Sequence, residues 1–253
     1  MKGQVIWLGQ AGFVIEGDDA RVGVDLFLRS DPRLRPPFCH PDALGFLDAT
    51  FVTHEHHDHM DRFTLTALTD RLRAMDVVVP CPIAEEAKAL GIPRVRPAEV
   101  GLPMRYGDIE ATPVRARHAA HMAEGYHFGE PDGRFLGYVF RVGTAAVYHS
   151  GDTIMYPELA DTLRGLGVTV MLLPINGRSY AREKAGLVGN LTPEEAVDLA
   201  AEAGAAVLIP MHYETYPNNL GDVGQAAEMA YRRGVTLVVP RYGQRVPLDW
   251  NAV

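Results

Sequence analysis

Four of the ten histidines lie within six residues, in the segment THEHHDH (53–59). Imidazole nitrogens and carboxylate oxygens are ligands that zinc, manganese and iron(II) prefer. In an extended segment His54 and His56 project from the same face, whereas the adjacent Asp58 and His59 diverge and so suit a second ion. The alternative is an accidental surface cluster, but the segment leaves the apolar, strand-like run ATFVT (49–53). The spacing therefore predicts a site for one or two divalent metal ions.

Three further candidate ligands also follow apolar, strand-like runs. His118 ends TPVRARH, Asp152 lies in AVYHSGD, and His212 ends VLIPMH. Loops at strand ends aim side chains while the sheet holds them rigid, so we expect these residues to converge on the histidine segment. Alone, His118 or His212 would more often be an ordinary core or capping residue. His121 competes with His118 as a ligand and is otherwise a candidate to contact substrate.

Polar residues after the apolar run VTVMLLPIN (168–176) are candidates for binding substrate. Asn176 ends this run, and Arg178 follows it with a planar guanidinium that suits a phosphate or a carboxylate. We therefore expect a small, anionic substrate. His149, three residues before Asp152, is a candidate to orient that carboxylate.

Hydrophobic patterns predict the elements that position these residues. QVIWL, GFVIEG and RVGVDLF favour an antiparallel meander, and the Pro- and Arg-rich segment 29–41 favours a long surface loop or lid. Helices are predicted at 62–74, 156–166, 192–203 and 222–233, with TLVVP (236–240) as the last strand. Each half of the chain runs from strands to strand–helix alternation, which predicts two sheets packed face to face with helices outside.

Composition favours one globular domain over residues 1–253, because apolar residues make up 47% and charged residues 22%. With 24 Lys and Arg against 32 Asp and Glu, the net charge of −8 argues against a nucleic-acid partner. Two cysteines give no disulfide framework. The first residues turn polar too soon for a signal peptide, and no apolar run is long enough to span a membrane. We therefore expect a cytoplasmic protein with no membrane partner.

The whole pattern resembles the metallo-β-lactamase superfamily. Its signature is H-x-H-x-D-H after a strand, a single His, an Asp in a GDT-like turn and a late His. The resemblance implies an α/β (α+β) fold, a four-layer αββα sandwich with a one- or two-metal site between the sheets. It assigns the first ion to His54, His56 and His118 and the second to Asp58, His59 and His212, bridged by Asp152. Gln10 departs from the superfamily pattern, because simple hydrolases often have His there.

The second half resembles the branch that contains L-ascorbate-6-phosphate lactonase, through YHSGDTIMYPEL, PINGR, GNL and LIPMHY. This resemblance implies a metal-dependent hydrolase acting on a lactone such as a sugar-phosphate lactone, with zinc or manganese, or else iron, as cofactor. Asp58 would also orient the water or take its proton, making it a catalytic candidate with His121. Because related enzymes often assemble, a homo-oligomer is expected.

Other functions remain as alternatives. A phosphodiesterase or nuclease on the same fold is the nearest one, but a nuclease should carry an extra basic element, and this acidic chain shows none. A two-iron redox enzyme would often replace a motif histidine by a carboxylate. A non-catalytic binding protein would be expected to lose ligands, yet every motif position is filled.

Overall fold

Alternating side chains in the first strand show that both of its faces are buried. In the computed structural model, which describes residues 3–250, Val5 and Trp7 belong to one apolar cluster, and Ile6 and Leu8 belong to another. Successive side chains of a strand point to opposite faces, so this strand lies in a sheet that is covered on both sides. The chain therefore has at least one layer of structure on each side of its first sheet.

The strands form two seven-stranded sheets. The strands are β1 (Gln4–Gly9), β2 (Gly12–Glu16), β3 (Arg21–Val24), β4 (Ala49–Phe51), β5 (Asp76–Pro80), β6 (Val95–Ala98), β7 (Met104–Tyr106), β8 (Ile109–Arg115), β9 (Leu136–Val142), β10 (Ala145–His149), β11 (Val170–Pro174), β12 (Val207–Met211), β13 (Thr236–Leu237) and β14 (Arg245–Pro247). The first sheet has the order β14-β1-β2-β3-β4-β5-β6, and the second has the order β13-β12-β11-β10-β9-β8-β7.

Both sheets have the same mixture of strand directions. The pairs from β14 to β3 are antiparallel and those from β3 to β6 are parallel. In the second sheet, the pairs from β7 to β10 are antiparallel and those from β10 to β13 are parallel. The predicted antiparallel meander is confirmed, and so is the change to strand–helix alternation within each half.

Helices cover the outer faces of the two sheets. They are α1 (Arg62–Arg71), α2 (Ala84–Ala89), α3 (Leu159–Gly165), α4 (Tyr180–Lys184), α5 (Pro193–Ala203) and α6 (Val223–Arg233). Leu65 of α1 and Ala87 of α2 share a cluster with Val77 and Val79 of the first sheet, whereas α5 contacts β11 and β12 of the second. The predicted four-layer αββα sandwich is confirmed.

Aromatic rings fill the space between the sheets. Phe51 of β4 meets Tyr138 and Phe140 of β9 with ring centroids 5.1 Å apart in both pairs. Such edge-to-face contacts add to the gain from burying these large side chains. They fix the two sheets against each other directly below the histidine segment that follows β4.

Three predicted element boundaries were wrong. The first helix ends at Arg71 rather than at 74, and the helix predicted at 156–166 covers only Leu159–Gly165. TLVVP is not the last strand either, because only Thr236–Leu237 is paired there and β14 follows it. The chain thus returns to the first sheet, where β14 pairs with β1.

The segment 29–40 has no helix or strand, as predicted for a long loop. The backbone N–H of Arg35 donates to the carbonyl of Thr215, and that of Phe38 donates to the carbonyl of Leu8. These bonds join the loop to the first sheet and to the segment after β12. Among residues 3–250, no helix is both long enough and apolar enough to cross a bilayer.

Candidate metal centre

The structure brings all seven predicted ligands together at one end of the sandwich. They form two groups, within each of which the ligand atoms lie no more than 4.8 Å apart. The first group is His54, His56, His118 and Asp152, and the second is Asp58, His59 and His212. Six of the seven side chains are buried, and His56 is partly exposed. The segment after β4 and the ends of three strands of the second sheet therefore supply one centre.

Asp152 lies between the two groups. Its Oδ2 is 3.6 Å from Nε2 of His118 in the first group and 3.5 Å from Nε2 of His212 in the second. Its Oδ1 is 3.3 Å from Nε2 of His59. The same oxygen, Oδ2, therefore lies within 3.6 Å of a ligand nitrogen of each group, and this places the carboxylate where it could contact an ion in either group.

The turn that presents Asp152 depends on a glycine. Gly151 has a φ of +58°, and a Cβ there would lie 2.6 Å from Cβ of Thr53. Its N–H donates to Nδ1 of His149, whose Nε2 lies 2.8 Å from the carbonyl oxygen of Ala11. His149 therefore holds the backbone of the turn that presents Asp152, and its influence on the orientation of that residue passes through this backbone bond.

Unpaired polar atoms point to a ligand in the centre. Nε2 of His54, Nε2 of His59 and Oδ1 of Asp152 are buried and make no well-aligned hydrogen bond among the described residues, although the last two atoms lie 3.3 Å apart. Buried polar groups are nearly always satisfied, so several unsatisfied atoms in one place require a missing partner. The donor set of imidazole nitrogens and carboxylate oxygens fits a divalent metal ion.

The electrostatics of the first group favour neutral imidazoles. Burial and the neighbouring histidines hold the pKa of His54 well below its usual range. Burial also lowers the pKa of His118 to about 3, although Asp152 acts in the opposite direction. Both rings are therefore neutral at pH 7, which is the protonation state that binds a metal ion.

Three carboxylates surround His59 of the second group. Burial disfavours the charged form of His59, but Asp152, Asp25 and Asp58 outweigh that effect and raise its pKa well above the usual range. The pKa of Asp58 is lowered, because the positive charges of His59 and His212 outweigh its burial. Three buried carboxylates at one place need compensating positive charge, which a divalent ion supplies.

Asp25 is a site residue that the sequence analysis missed. It is fully buried at the end of β3, and its Oδ2 accepts a hydrogen bond of 2.6 Å from Nδ1 of His59. The same carboxylate accepts from the N–H and the hydroxyl of Thr53, at 2.9 and 2.7 Å. A carboxylate on one ring nitrogen sets the tautomer and directs the other nitrogen to the metal. The signal available in the sequence was a single acid inside the apolar run RVGVDLF.

The backbone is constrained at this centre. Among the described residues, the non-glycine residues with positive φ are Gln10, Asp25 and His212, with φ of 49°, 45° and 56°. Such conformations cost free energy and persist where the surrounding structure demands them. Because all three contribute to the centre, the strain coincides with the functional site.

Gln10 connects the first strand to the second group. Its side-chain Nε2 donates to Oδ2 of Asp58 at 2.8 Å, and its carbonyl accepts from the indole of Trp7 and from the N–H of His212. The residue that departs from the superfamily pattern therefore holds the carboxylate of Asp58 by its amide. This amide does not change its charge in the ordinary pH range.

The structure places His118, and not His121, among the ligand atoms. The ring of His118 lies 3.4 Å from Nδ1 of His56, whose Nε2 meets the carbonyl of Ala120 at 3.0 Å. His121 is exposed at the start of a short 3-10 turn, outside both groups. Its contact with substrate stays a prediction.

The two predicted substrate residues have structural partners instead. The guanidinium of Arg178 donates to both carboxylate oxygens of Glu195, at 2.6 and 2.5 Å, and to the carbonyl of Asn190. Asn176 is buried and hydrogen-bonded to the side chains of Asn190 and Asn219. The guanidinium of Arg178 is therefore paired with Glu195 in this structure, and the contact of Arg178 and Asn176 with substrate stays a prediction.

Comparisons with known proteins agree with this fold. Residues 12–213 match the beta-lactamase superfamily domain. A metallo hydrolase from Ignicoccus hospitalis has a similar structure, with a TM-score of 0.74 and 20% identity over 99% of this chain and 100% of that chain. That likeness concerns the fold alone. The chain belongs to the beta-lactamase superfamily.

Curated relatives define the family more closely. A UPF0173 protein of Pyrococcus furiosus is 32% identical over 213 residues, which are 84% of this chain and 84% of the relative. A UPF0173 metal-dependent hydrolase of Carboxydothermus hydrogenoformans is 26% identical over 97% of this chain and 100% of the relative. Within the superfamily, the chain belongs with these UPF0173 metal-dependent hydrolases.

Proposed function

We propose that this metal-dependent hydrolase uses two divalent ions to cleave a small anionic substrate, with a lactone such as a sugar-phosphate lactone as the leading class. The observation that carries the proposal is the position of Asp152 between two groups of unsatisfied ligand atoms. The lactone rests on the resemblance of the second half of the chain to the lactonase branch. Zinc and manganese suit this set of nitrogen and oxygen ligands, and iron is the further choice.

Each group of residues would hold one ion. His54, His56 and His118 would hold the first, Asp58, His59 and His212 the second, and Asp152 would serve both. Divalent ions supply water of lowered pKa, and therefore a nucleophile at neutral pH, together with charge that stabilises a developing oxyanion.

Asp58 is suited to orient the attacking water and to take its proton. Gln10 donates to Oδ2 of Asp58, and Nε2 of His212 lies 3.3 Å from the same oxygen. Oδ1 is then the oxygen left for the attacking water. The lowered pKa of Asp58 keeps it ionised, so that Oδ1 can accept a hydrogen bond from this water.

Metal removal and the change Asp152→Asn test this function together. We expect chelated protein to lose at least about 100-fold in activity on a panel of lactones, with recovery when zinc or manganese is added back. Asp152→Asn should lower both metal content and activity. Asp132→Asn is the matched control, because Asp132 is exposed and pairs with Arg115 on the surface.

A phosphodiester substrate in the same panel decides between the leading class and its alternative. Faster turnover of aryl phosphodiesters than of any lactone would replace the lactone by the phosphodiesterase function. Undiminished activity in metal-free protein, or in Asp152→Asn, would overturn the metal-dependent mechanism.

A further inference from the structure

A pocket of about 540 Å³ opens beside the second group of ligands. It lies between the loop that follows β3 and the segment after β12, and its wall includes Phe27, Arg29, His57 and Tyr216. None of these four residues belongs to the ligand groups. The pocket is large enough for a small organic molecule and has no assigned role in the chemistry above.

The pocket is adjacent to the metal centre. The hydroxyl of Tyr216 lies 3.1 Å from Nε2 of His57, which immediately precedes Asp58 in the chain. Tyr216 also lies four residues after His212, a ligand of this group, in the segment that follows β12. A molecule in the pocket would therefore have one end close to the reacting groups.

Three aromatic rings form part of the pocket wall. The rings of Phe27 and Tyr216 are stacked at 25° with centroids 6.3 Å apart. The ring of His57 is nearly perpendicular to both, at 82° and 83°. Planar groups gain free energy from contact with such rings, both by burial and by ring geometry.

Three arginines in the loop differ in how they are paired. Arg33 donates to both carboxylate oxygens of Asp31, and Arg35 is bound by Glu214 and stacked over Tyr242.

Arg29 has no such partner. Its closest carboxylate oxygen, Oδ1 of Asp61, is 3.9 Å away, and the other oxygen of Asp61 accepts two hydrogen bonds from Thr64. Among the described residues, the guanidinium of Arg29 donates no hydrogen bond, so it is the loop arginine that remains free for a ligand.

We infer that this pocket binds the planar, carboxylate-bearing part of the substrate, with Arg29 paired to the carboxylate. A guanidinium matches a carboxylate through two parallel hydrogen bonds, and one arginine balances the charge of one carboxylate. The link to hydrolysis rests on the metal-dependent function proposed above, and the inference narrows its anionic substrate to one that carries a carboxylate, so that a lactone substrate would bear a carboxylate in place of a phosphate. In this inference the pocket, and not the region around Arg178, recognises the anion.

Binding of benzoate to the metal-loaded protein tests the inference. In titration calorimetry we expect benzoate to bind at least tenfold more tightly than acetate, benzyl alcohol or phenyl phosphate. Arg29→Gln should weaken benzoate binding by about 10–100-fold, which corresponds to the loss of a charge-assisted pair. Benzyl alcohol binding and metal content should stay unchanged in this variant.

Arg35→Gln is the matched control. It removes a cation from the same loop, but one that Glu214 binds and that lies outside the pocket wall, so we expect less than a twofold change in benzoate affinity. Equal benzoate affinity in wild type and Arg29→Gln would overturn the inference, because the carboxylate would then be bound by the metal alone. Tighter binding of phenyl phosphate than of benzoate would also overturn it.

Kinetics on a pair of esters connects the pocket with catalysis. In Arg29→Gln we expect KM for the monomethyl ester of terephthalate to rise about tenfold and KM for methyl benzoate to change little. An equal change in both KM values would contradict a role of Arg29 in selecting carboxylates. If the wild-type protein hydrolyses neither these esters nor any lactone or phosphodiester of the panel, the proposed function fails. The benzoate titration still decides whether the pocket binds carboxylates.

Discussion

Two polar clusters at strand ends differ in whether their hydrogen bonds are satisfied. In the metal centre, buried nitrogens of His54 and His59 and an oxygen of Asp152 make no well-aligned hydrogen bond among the described residues. In the cluster around Arg178 and Glu195, the guanidinium and the carboxylate are paired with each other, and among the described neighbouring side chains one buried atom, Oδ1 of Asn190, has no partner. Both clusters follow apolar strands, so their sequences give the same signal.

Whether buried polar atoms are satisfied distinguishes a binding site from a structural cluster. A satisfied cluster gains nothing by taking a ligand, because binding must first break bonds that already exist. An unsatisfied buried cluster carries a desolvation cost that a ligand removes.

The change Asp25→Asn should weaken the metal centre without removing a ligand. The amide has one acceptor oxygen where the carboxylate has two. If that oxygen keeps the bond from the Thr53 N–H, the NH2 group faces Nδ1 of His59, and the imidazole loses its orienting acceptor. We expect metal affinity to fall about 10–100-fold. Competition with a chromophoric chelator measures this affinity.

Asp76→Asn is the control for this change. Asp76 is buried in β5 of the same sheet, but it pairs with Arg94 and Arg96 rather than with a metal ligand. This variant should lose stability and keep its metal affinity. A similar loss of metal affinity in both variants would show that the effect of Asp25→Asn comes from a general disturbance of the sheet.

The change Arg178→Ala should act on stability and not on substrate binding. It leaves the carboxylate of Glu195 without its guanidinium. The loss of stability is limited, because the Thr192 backbone N–H still donates to this carboxylate and about a quarter of the Glu195 side chain is exposed to water. We expect the free energy of unfolding to fall by about 1–2 kcal/mol, as measured by urea denaturation. A raised KM with unchanged stability would instead restore Arg178 as a substrate residue.

The same pair should make a small contribution to the pH dependence of stability. Burial raises the pKa of Glu195, but hydrogen bonds from Arg178 and from Thr192 outweigh it, so the pKa lies below its usual value of 4.5. The unfolded chain therefore takes up this proton first as the pH falls. The contribution, about 1 kcal/mol or less, is present above pH 4.5 and is lost as the pH falls through the folded pKa.

Comparison of wild type with Glu195→Gln isolates this contribution. The difference in unfolding free energy between the two proteins should shrink between pH 6 and pH 3. A difference that stays constant over this range would mean that Arg178 does not stabilise the ionised form of Glu195.

Local patterns predicted much of the fold and all seven members of the two ligand groups. Short strand-like runs separated by turn residues predicted the meander. The position of His118, Asp152 and His212 after apolar strands indicated where these side chains would lie. Pairings over long sequence separations were not predictable. The contact of Asp25 with His59 and that of Arg178 with Glu195 depend on how strands and helices meet, which no short segment of sequence encodes.

The same limit explains the error at the last strand. β14 is only three residues long, and its apolar signal is a single buried residue, Val246, between two exposed ones. Its position is set by pairing with β1, from the opposite end of the described chain. Edge strands of this kind are defined by their partner more than by their own residues.

The division of the ligands between the two sheets couples metal binding to folding. His54, His56, Asp58 and His59 follow a strand of the first sheet, whereas the other three ligands follow strands of the second. Neither half can assemble the centre before the sheets have docked, so the centre forms late in folding, after distant segments of the chain have met. An ion that binds only the docked state then slows or prevents its opening, and the midpoint of thermal unfolding rises with free metal concentration.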